Sequence, residues 1–305
     1  MKIISGSSNP ALAQGIAGHF GVTLVDTEIS QFANGEKRVW VKEEVRGDKV
    51  AIVQTLSNPT DEHIIELLLI ADSLERIGAR HINLIMPWMG YSLQDKVFRE
   101  GEPIAAKVVA NLISNSHICR TFVMELHNSS TPGFFSIPTH HLSAMGLFTQ
   151  HVRQHIPLDN AVIASPDFGG LKRARVFAGQ LDLDLVNIDK HRNLKTGEVT
   201  AVGISGDVDG KIVIMFDDVI NTGSTVTNTA QLLKERGATA VYFCATHGIF
   251  ANNGIAQIQS SVVDQVIVTN SIPQPPSGDL PDNTSKIHYL DSSQLFADAL
   301  RPWLE

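Results

Sequence analysis

Apolar residues gather in short runs, one of them interrupted only by Asn83: Val50-Ala51-Ile52-Val53, Ile82-Asn83-Leu84-Ile85-Met86, Ile212-Val213-Ile214-Met215-Phe216 and Val241-Tyr242-Phe243-Cys244-Ala245. A strand buried on both faces reads this way, because neither face meets water. Between the members of each pair lies a longer stretch of helical period. One ends at Leu74-Glu75-Arg76-Ile77-Gly78-Ala79, the other at Leu233-Lys234-Glu235-Arg236-Gly237-Ala238. In each, glycine marks the helix stop. Alternating buried strands and helices predict parallel sheets joined by right-handed crossovers.

The two strand–helix–strand stretches resemble each other, which predicts a duplicated α/β domain. The later strand of each runs into a glycine-bearing loop, Trp88-Met89-Gly90-Tyr91 in one and His247-Gly248-Ile249-Phe250 in the other. A join near 140–150 divides the chain into expected domains at 1–143 and 144–305, each a mainly parallel sheet flanked by helices. No Gly/Ser-rich linker separates them, so tight packing of the domains is expected. The Pro-rich stretch 273–281 reads as a loop and Ser292 to Leu300 as a final short helix.

Length and composition fit this picture. The chain has 305 residues, 43% hydrophobic and 18% charged, enough for about two domains with real cores. Its net charge of −8 argues against nucleic acid or an anionic membrane as the main partner. Basic residues are nonetheless concentrated locally, at Lys172, Arg173 and Arg175 and at Lys190 and Arg192. The two cysteines, Cys119 and Cys244, sit in apolar surroundings and read as buried free thiols in a reducing compartment. Met1-Lys2-Ile3-Ile4 lacks the apolar length of a signal peptide, and no segment approaches a membrane span of roughly 18 apolar residues. A soluble cytoplasmic protein is expected.

The chemistry concentrates after the run Ile212–Phe216. Asp217 and Asp218 stand at its end, and Asn221-Thr222-Gly223-Ser224-Thr225 leads into a helix whose apolar face carries Val226, Ala230 and Leu233. Ligands collect at the carboxyl ends of parallel strands, and a helix start offers free backbone N–H groups suited to phosphate. The two carboxylates then take hydroxyls of the same ligand or its magnesium, and a phosphorylated sugar fits both halves. This string resembles the phosphoribosyl diphosphate binding motif of the type I phosphoribosyltransferase fold. In the first copy, Leu56-Ser57-Asn58-Pro59-Thr60 stands in its place, without the acidic pair or the glycine.

Nearly the whole chain resembles the ribose-phosphate diphosphokinase (phosphoribosyl diphosphate synthetase) family. The matching strings include Phe32-Ala33-Asn34-Gly35-Glu36, Val45-Arg46-Gly47, Gln94-Asp95-Lys96, Gly101-Glu102-Pro103-Ile104, Leu126-His127, Gly133-Phe134-Phe135, Ser165-Pro166-Asp167, Asp189-Lys190-His191-Arg192 and Thr246-His247-Gly248. The resemblance implies two type I phosphoribosyltransferase-like domains, with the ATP side in the first and the ribose 5-phosphate site in the second. It implies transfer of diphosphate from ATP to O1 of ribose 5-phosphate, with AMP leaving and Mg2+ as cofactor. Lys190 and Arg192 match the catalytic basic pair, expected on a mobile loop after a strand over 183–188. Asp217, Asp218, Asn221, Thr222, Gly223, Ser224 and Thr225 match the ribose 5-phosphate site. His127 and Asp167 match residues that hold magnesium near ATP, His127 also counting among the ATP-binding residues. Phe32, Asn34 and Glu36 match a hairpin that reaches the adenine of a neighbouring subunit, which implies a homo-oligomer with a shared ATP site. Gln94 and Asp95 match the loop on the other side of the nucleotide. His140-His141 is assigned no role, because adjacent side chains diverge in a strand.

The chain departs from the family pattern mainly on the ATP side. Leu93 stands where an arginine is usual, Asn34 where aspartate is usual, and Asn128 where alanine follows the histidine; Asn221 occupies an often acidic position of the phosphate loop. Two other readings share these residues. One is a transferase that consumes phosphoribosyl diphosphate, which needs neither a second α/β copy nor the Phe32–Glu36 hairpin. The other is a non-catalytic relative that regulates a true synthetase, favoured by Leu93 and opposed by Lys190 and Arg192.

Overall fold

A computed structural model describes residues 1–166, 169–192, 199–273 and 286–303, with 189–192 and 199–202 as backbone only. The chain divides into two compact units, one of Met1–Ser143, Asn270–Pro273 and Asp291–Glu305, the other of Ala144–Thr269 and Gln274–Leu290. The C-terminal segment thus departs from the simple expected boundary and belongs with the first unit. The reason is burial: helix α8 (Ser293–Leu300) hides Phe296, Ala297 and Leu300 completely, and His19 of helix α1 (Pro10–Phe20) meets Ser293 Oγ at 2.9 Å.

In the first unit, strands β1 (Lys2–Ser5), β4 (Lys49–Val53), β5 (His81–Met86), β6 (Ile118–Met124) and β7 (Thr139–Leu142) lie in that order, every pair parallel. Between β1 and β4 the chain forms α1 and an antiparallel hairpin of β2 (Thr27–Gln31) and β3 (Lys37–Val41). Helix α2 (Thr60–Ile77) crosses from β4 to β5, and α3 (Ala105–Ser114) from β5 to β6. Asp61 and Glu62 complement the helix dipole in the first turn of α2. Gly78, at φ +94°, ends the helix in the left-handed conformation expected of a glycine stop. Ile52, Leu67, Ile70, Leu74, Leu84 and Val109 belong to the core between sheet and helices.

The second unit begins with α4 (Met145–His155) and repeats the plan. Its strands are β8 (Ala161–Ser165), β9 (Asp184–Arg192), β10 (Val199–Ser205), β11 (Ile212–Ile220), β12 (Ala240–Gly248), β13 (Gln265–Thr269) and β14 (Ile287–Leu290). Helices α5 (Leu171–Leu181), α6 (Ser224–Glu235) and α7 (Gly254–Ser260) make the connections. The sheet order is β10-β9-β8-β11-β12-β13-β14, with only β10 antiparallel to its neighbour. The five strands β8-β11-β12-β13-β14 have the order of β1-β4-β5-β6-β7, so β4 and β11 occupy the same place in their sheets. Each unit also inserts a helix and a hairpin between its first two core strands. The hairpins are built differently: β9 pairs with β8 and extends the main sheet, whereas β2–β3 forms a separate two-stranded sheet.

Three local expectations change. β11 runs on to Ile220, so Asp217 and Asp218 lie within a strand and not at its end; the cause is continued pairing of Asp217 with Ala245 and Val219 with His247. β9 likewise continues through Arg192, because Lys190 pairs with Ala201 and Arg192 with Val199. The basic pair therefore sits on the arm of a hairpin, and not on a loop after residue 188. Finally, Cys244 is buried but Cys119 is only half-buried; both are free thiols. Burial raises the Cys244 thiol far above its ordinary range. No helix among the described residues is long and apolar enough to cross a membrane.

Candidate active site

The acidic pair is positioned from below and from the side. Phe216, fully buried, stacks on Phe177 at 4.6 Å and meets Phe148 edge-on at 5.3 Å, which fixes the strand just before the carboxylates. Arg173, in the first turn of α5, donates from Nη1 to Asp217 Oδ1 at 2.9 Å and to Asp218 Oδ1 at 3.1 Å. Asp218, with its side chain 4% exposed, is paired by that contact, since an unpaired buried carboxylate is costly. The Asp218 amide also donates to Asp217 Oδ1 at 2.9 Å. Sequence reasoning noted the basic run containing Arg173 but gave it no part in the site.

Beyond the pair, Asn221–Gly223 form a turn and Ser224 opens α6. Gly223 sits at φ +86° with Gly254 O only 3.3 Å from where a Cβ would lie, so both conformation and space favour glycine. Ala251 N donates to Asn221 O at 2.7 Å, bracing the turn from the far side. Thr222 and Ser224 hydroxyls meet at 3.1 Å. No side chain caps the start of α6. Hydroxyls, helix N–H groups and the positive end of the dipole thus converge where an anion is stabilised.

The first unit carries the other candidate residues. Phe32, Asn34 and Glu36 share the tight turn between β2 and β3, closed by Phe32 N to Glu36 O at 2.8 Å and by Glu36 N to Asn34 Oδ1 at 3.2 Å. Phe32 is 53% exposed, unusual for a large aromatic. Leu93 and Gln94 line a cleft of about 600 Å³ together with Asn58, Thr60, Trp88 and Tyr91. The cleft lies beside the segment that replaces the phosphate loop. Gly90 makes it possible, because a Cβ there would fall 2.4 Å from Thr60 Cγ2 and 2.6 Å from Leu56 O. The Tyr91 hydroxyl donates to Asp61 Oδ1 at 2.6 Å, which raises its pKa.

Asp95 accepts a 2.7 Å hydrogen bond from Asn128 Nδ2, so the 91–96 segment is tied to the loop that carries His127. That loop has a second anchor: Leu126 N donates to His141 Nε2 at 2.8 Å. His141, given no role from sequence, accepts that hydrogen bond and so holds the segment beside His127. The side chains of Lys190 and Arg192, and Asp167 as a whole, lie outside the described residues. Among the described residues no three His, Cys, Asp or Glu side chains cluster as a ready-made metal cage.

Two units of one parallel five-strand plan, the second with an acidic pair and a hydroxyl-rich turn before a helix, define a duplicated phosphoribosyltransferase-type α/β protein. Residues 1–116 match the model of the N-terminal domain of ribose phosphate pyrophosphokinase, and residues 190–304 match a phosphoribosyl synthetase-associated domain. The ribose-phosphate pyrophosphokinase of Fusobacterium nucleatum is 39% identical over 301 residues, covering 98% of this chain and 94% of that one. The same-named protein of Maricaulis maris is 38% identical, with coverage of 99% and 96%. The crystal structure of phosphoribosylpyrophosphate synthetase from Mycobacterium smegmatis superposes with a TM-score of 0.90 at 32% identity, covering 99% of this chain and 98% of that one. The chain belongs to the ribose-phosphate pyrophosphokinase family.

Proposed function

We propose that this chain transfers the diphosphoryl group of ATP to O1 of ribose 5-phosphate, giving phosphoribosyl diphosphate and AMP. The anomeric hydroxyl attacks the β-phosphorus, the bond from that phosphorus to the oxygen bridging it to the α-phosphate breaks, and the hydroxyl proton passes to solvent. The observation that carries this reading is the pairing of Asp217 and Asp218 with the Asn221–Thr225 turn on one strand–helix junction. The turn binds the 5-phosphate through backbone N–H groups and the Thr222, Ser224 and Thr225 hydroxyls. The carboxylates accept from the ribose hydroxyls, and Arg173 bridges the two of them side by side.

On the ATP side, Gln94 and Asp95 flank the nucleotide, and Phe32, Asn34 and Glu36 read the adenine of a neighbouring copy. The exposed aromatic of Phe32 and its rigid turn support this assignment, which makes the working form a homo-oligomer. Lys190 and Arg192 neutralise charge that develops on the transferring group, since such reactions need positioning and cations more than covalent chemistry. Their place on a hairpin arm suits a group that closes over the phosphates.

The donor set fits magnesium. Asp217 and Asp218 offer the hard oxygen ligands it takes, and their few donors suit an ion that shares its coordination with ligand oxygens and water. His127 and Asp167 are the assigned holders on the ATP side. When bound, the ion neutralises charge on phosphoryl oxygens. The reading also carries a cytoplasmic location. The deciding experiment supplies purified protein with ATP, Mg2+ and ribose 5-phosphate and follows AMP together with phosphoribosyl diphosphate. Equal formation of the two products is expected; AMP without the sugar diphosphate, or neither product, refutes the activity.

A further inference from the structure

The hairpin β2–β3 packs Ile29, Val39 and Val41 on the core of the first unit, and one lysine adds a polar tie to that apolar contact. Alternation along β3 turns Val39 and Val41 inward and Arg38 and Trp40 outward, and it puts Lys37 on the inner side with the valines. A lysine directed at a protein interior must be paired there, because an isolated buried ammonium is costly. Here Lys37 Nζ lies 3.2 Å from Glu62 Oε2 and 3.3 Å from Glu66 Oε2, both on α2. Burial alone lowers the pKa of Lys37, but the hydrogen bonds from its two partners outweigh burial and leave it raised.

Glu66 is fully buried and satisfied without being mobile. It accepts from Ser7 N at 2.7 Å, Ser7 Oγ at 2.7 Å and Gln54 Nε2 at 3.0 Å, as well as from Lys37. Those donors come from the ends of β1 and β4, so the carboxylate is fixed to the sheet, and Lys37 ties the hairpin to that fixed point. Because β2–β3 shares no ladder with the main sheet, only side-chain packing and this tie hold its strands against α2. Lys37 opposes Gln31 in the ladder, directly below the turn of Phe32, Asn34 and Glu36.

We propose that Lys37 is a positioning residue for nucleotide recognition, its ammonium locked between Glu62 and Glu66 so that the hairpin turn is held in place before ATP arrives. This rests on the assignment of the Phe32–Glu36 turn to the adenine. The lock spares the ligand the cost of ordering the arm, so it acts on affinity and not on the chemical step. Lys37→Met removes the ammonium, keeps most of the apolar stem, and leaves Glu66 its three other donors, so the unit still folds.

The test compares Lys37→Met, Lys37→Arg and Phe32→Ala with the unaltered protein by hydrogen exchange over residues 27–41 and by steady-state kinetics. In Lys37→Met, exchange in the hairpin speeds up at least tenfold while the strands of the main sheet keep their protection. The KM for ATP rises about tenfold, with kcat and the KM for ribose 5-phosphate within about threefold. Lys37→Arg restores slow exchange and low KM, because its guanidinium still meets both carboxylates. Unchanged exchange in Lys37→Met overturns the lock, as does faster exchange throughout the unit that signals global loosening. Faster hairpin exchange with an unchanged KM for ATP also overturns the proposal. In that last case Phe32→Ala separates the causes: a raised KM keeps the turn as the adenine contact, and an unchanged KM removes that assignment too. Should Lys37→Met not fold, Lys37→Gln, which keeps a donor toward Glu66, is judged by the same readouts.

Discussion

Asn128 donates from Nδ2 to Asp95 Oδ2 at 2.7 Å, which joins two segments of the first unit that are far apart in sequence. Asn128 also receives Ser130 N on its own Oδ1 at 2.9 Å, so its amide is oriented before it meets the carboxylate. A residue that looks like a departure from the family pattern thus has a structural partner. Asn128→Ala frees Asp95 to wander, and ATP affinity is expected to fall about threefold to tenfold, the worth of a hydrogen bond of roughly 1 kcal/mol. Asn128→Asp sets two carboxylates together and weakens ATP more than the alanine change does. Titration with a non-hydrolysable ATP analogue reads both; equal affinity in all three forms removes Asp95 from the nucleotide site.

Leu93 lines the cleft beside Thr60 and Tyr91, and if the proposed ATP site includes this cleft, an apolar side chain there leaves triphosphate charge to other groups. Leu93→Arg is expected to tighten ATP analogue binding by about 1 kcal/mol or more, because a guanidinium makes strong charge-assisted bonds to phosphate. Weaker binding would instead mean that the new arginine turns to the nearby Asp61 and Glu62, or that the donor is not ATP. The same titration with ribose 5-phosphate present separates these outcomes.

Asp218 is the more buried of the acidic pair and shares Arg173 with Asp217. Asp218→Ala should weaken ribose 5-phosphate binding far more than ATP binding, as measured by calorimetry for each ligand separately. Equal losses with the fold intact count against the assignment of the strand–turn–helix junction to the sugar phosphate.

Lys190 is expected to act on turnover. Removing a preorganised cation costs about two decades or more in kcat, near 2.7 kcal/mol and upward. Lys190→Ala should show this loss with small changes in either Michaelis constant. Raised Michaelis constants with kcat preserved would make it a binding residue.

A pH dependence is built into the second unit. His151 is buried against His155 at 4.4 Å and His288 at 4.9 Å between ring centres, and burial with those two neighbours pushes its pKa down to about 4. The folded protein therefore binds this proton less readily than the unfolded chain, so stability falls as pH drops from about 6.5 toward 4. Thermal midpoints followed across that range should decline, and His151→Gln should flatten the decline. An unaltered slope in the variant assigns the acid sensitivity elsewhere.

Much of the second site was legible because its residues are local. Five apolar positions, two aspartates and a hydroxyl-rich turn with one glycine follow each other without a gap, and a strand–helix junction needs only that order. The duplication was legible for the same reason, since the two strand–helix–strand stretches repeat in period and in their glycine stops. Illegible were contacts between distant segments: Arg173 on the acidic pair, His141 behind Leu126, Asn128 on Asp95, and Lys37 on Glu66. Nothing in the neighbourhood of any of these in the chain names its partner.

The sequence by itself therefore determined the α/β class, the repeat, and the hydroxyl-rich turn before α6, because hydrophobic period and glycine placement act over a few residues. The extent of β9 and β11 was left to tertiary structure, since a strand continues for as long as a neighbour pairs with it. So was the return of α8 to the first unit, which depends on the apolar surface that Phe296 and Leu300 find there. The difference between the two hairpins was decided in the same way: β9 pairs with an edge of β8, while β2–β3 is held by its apolar face and by Lys37 between Glu62 and Glu66.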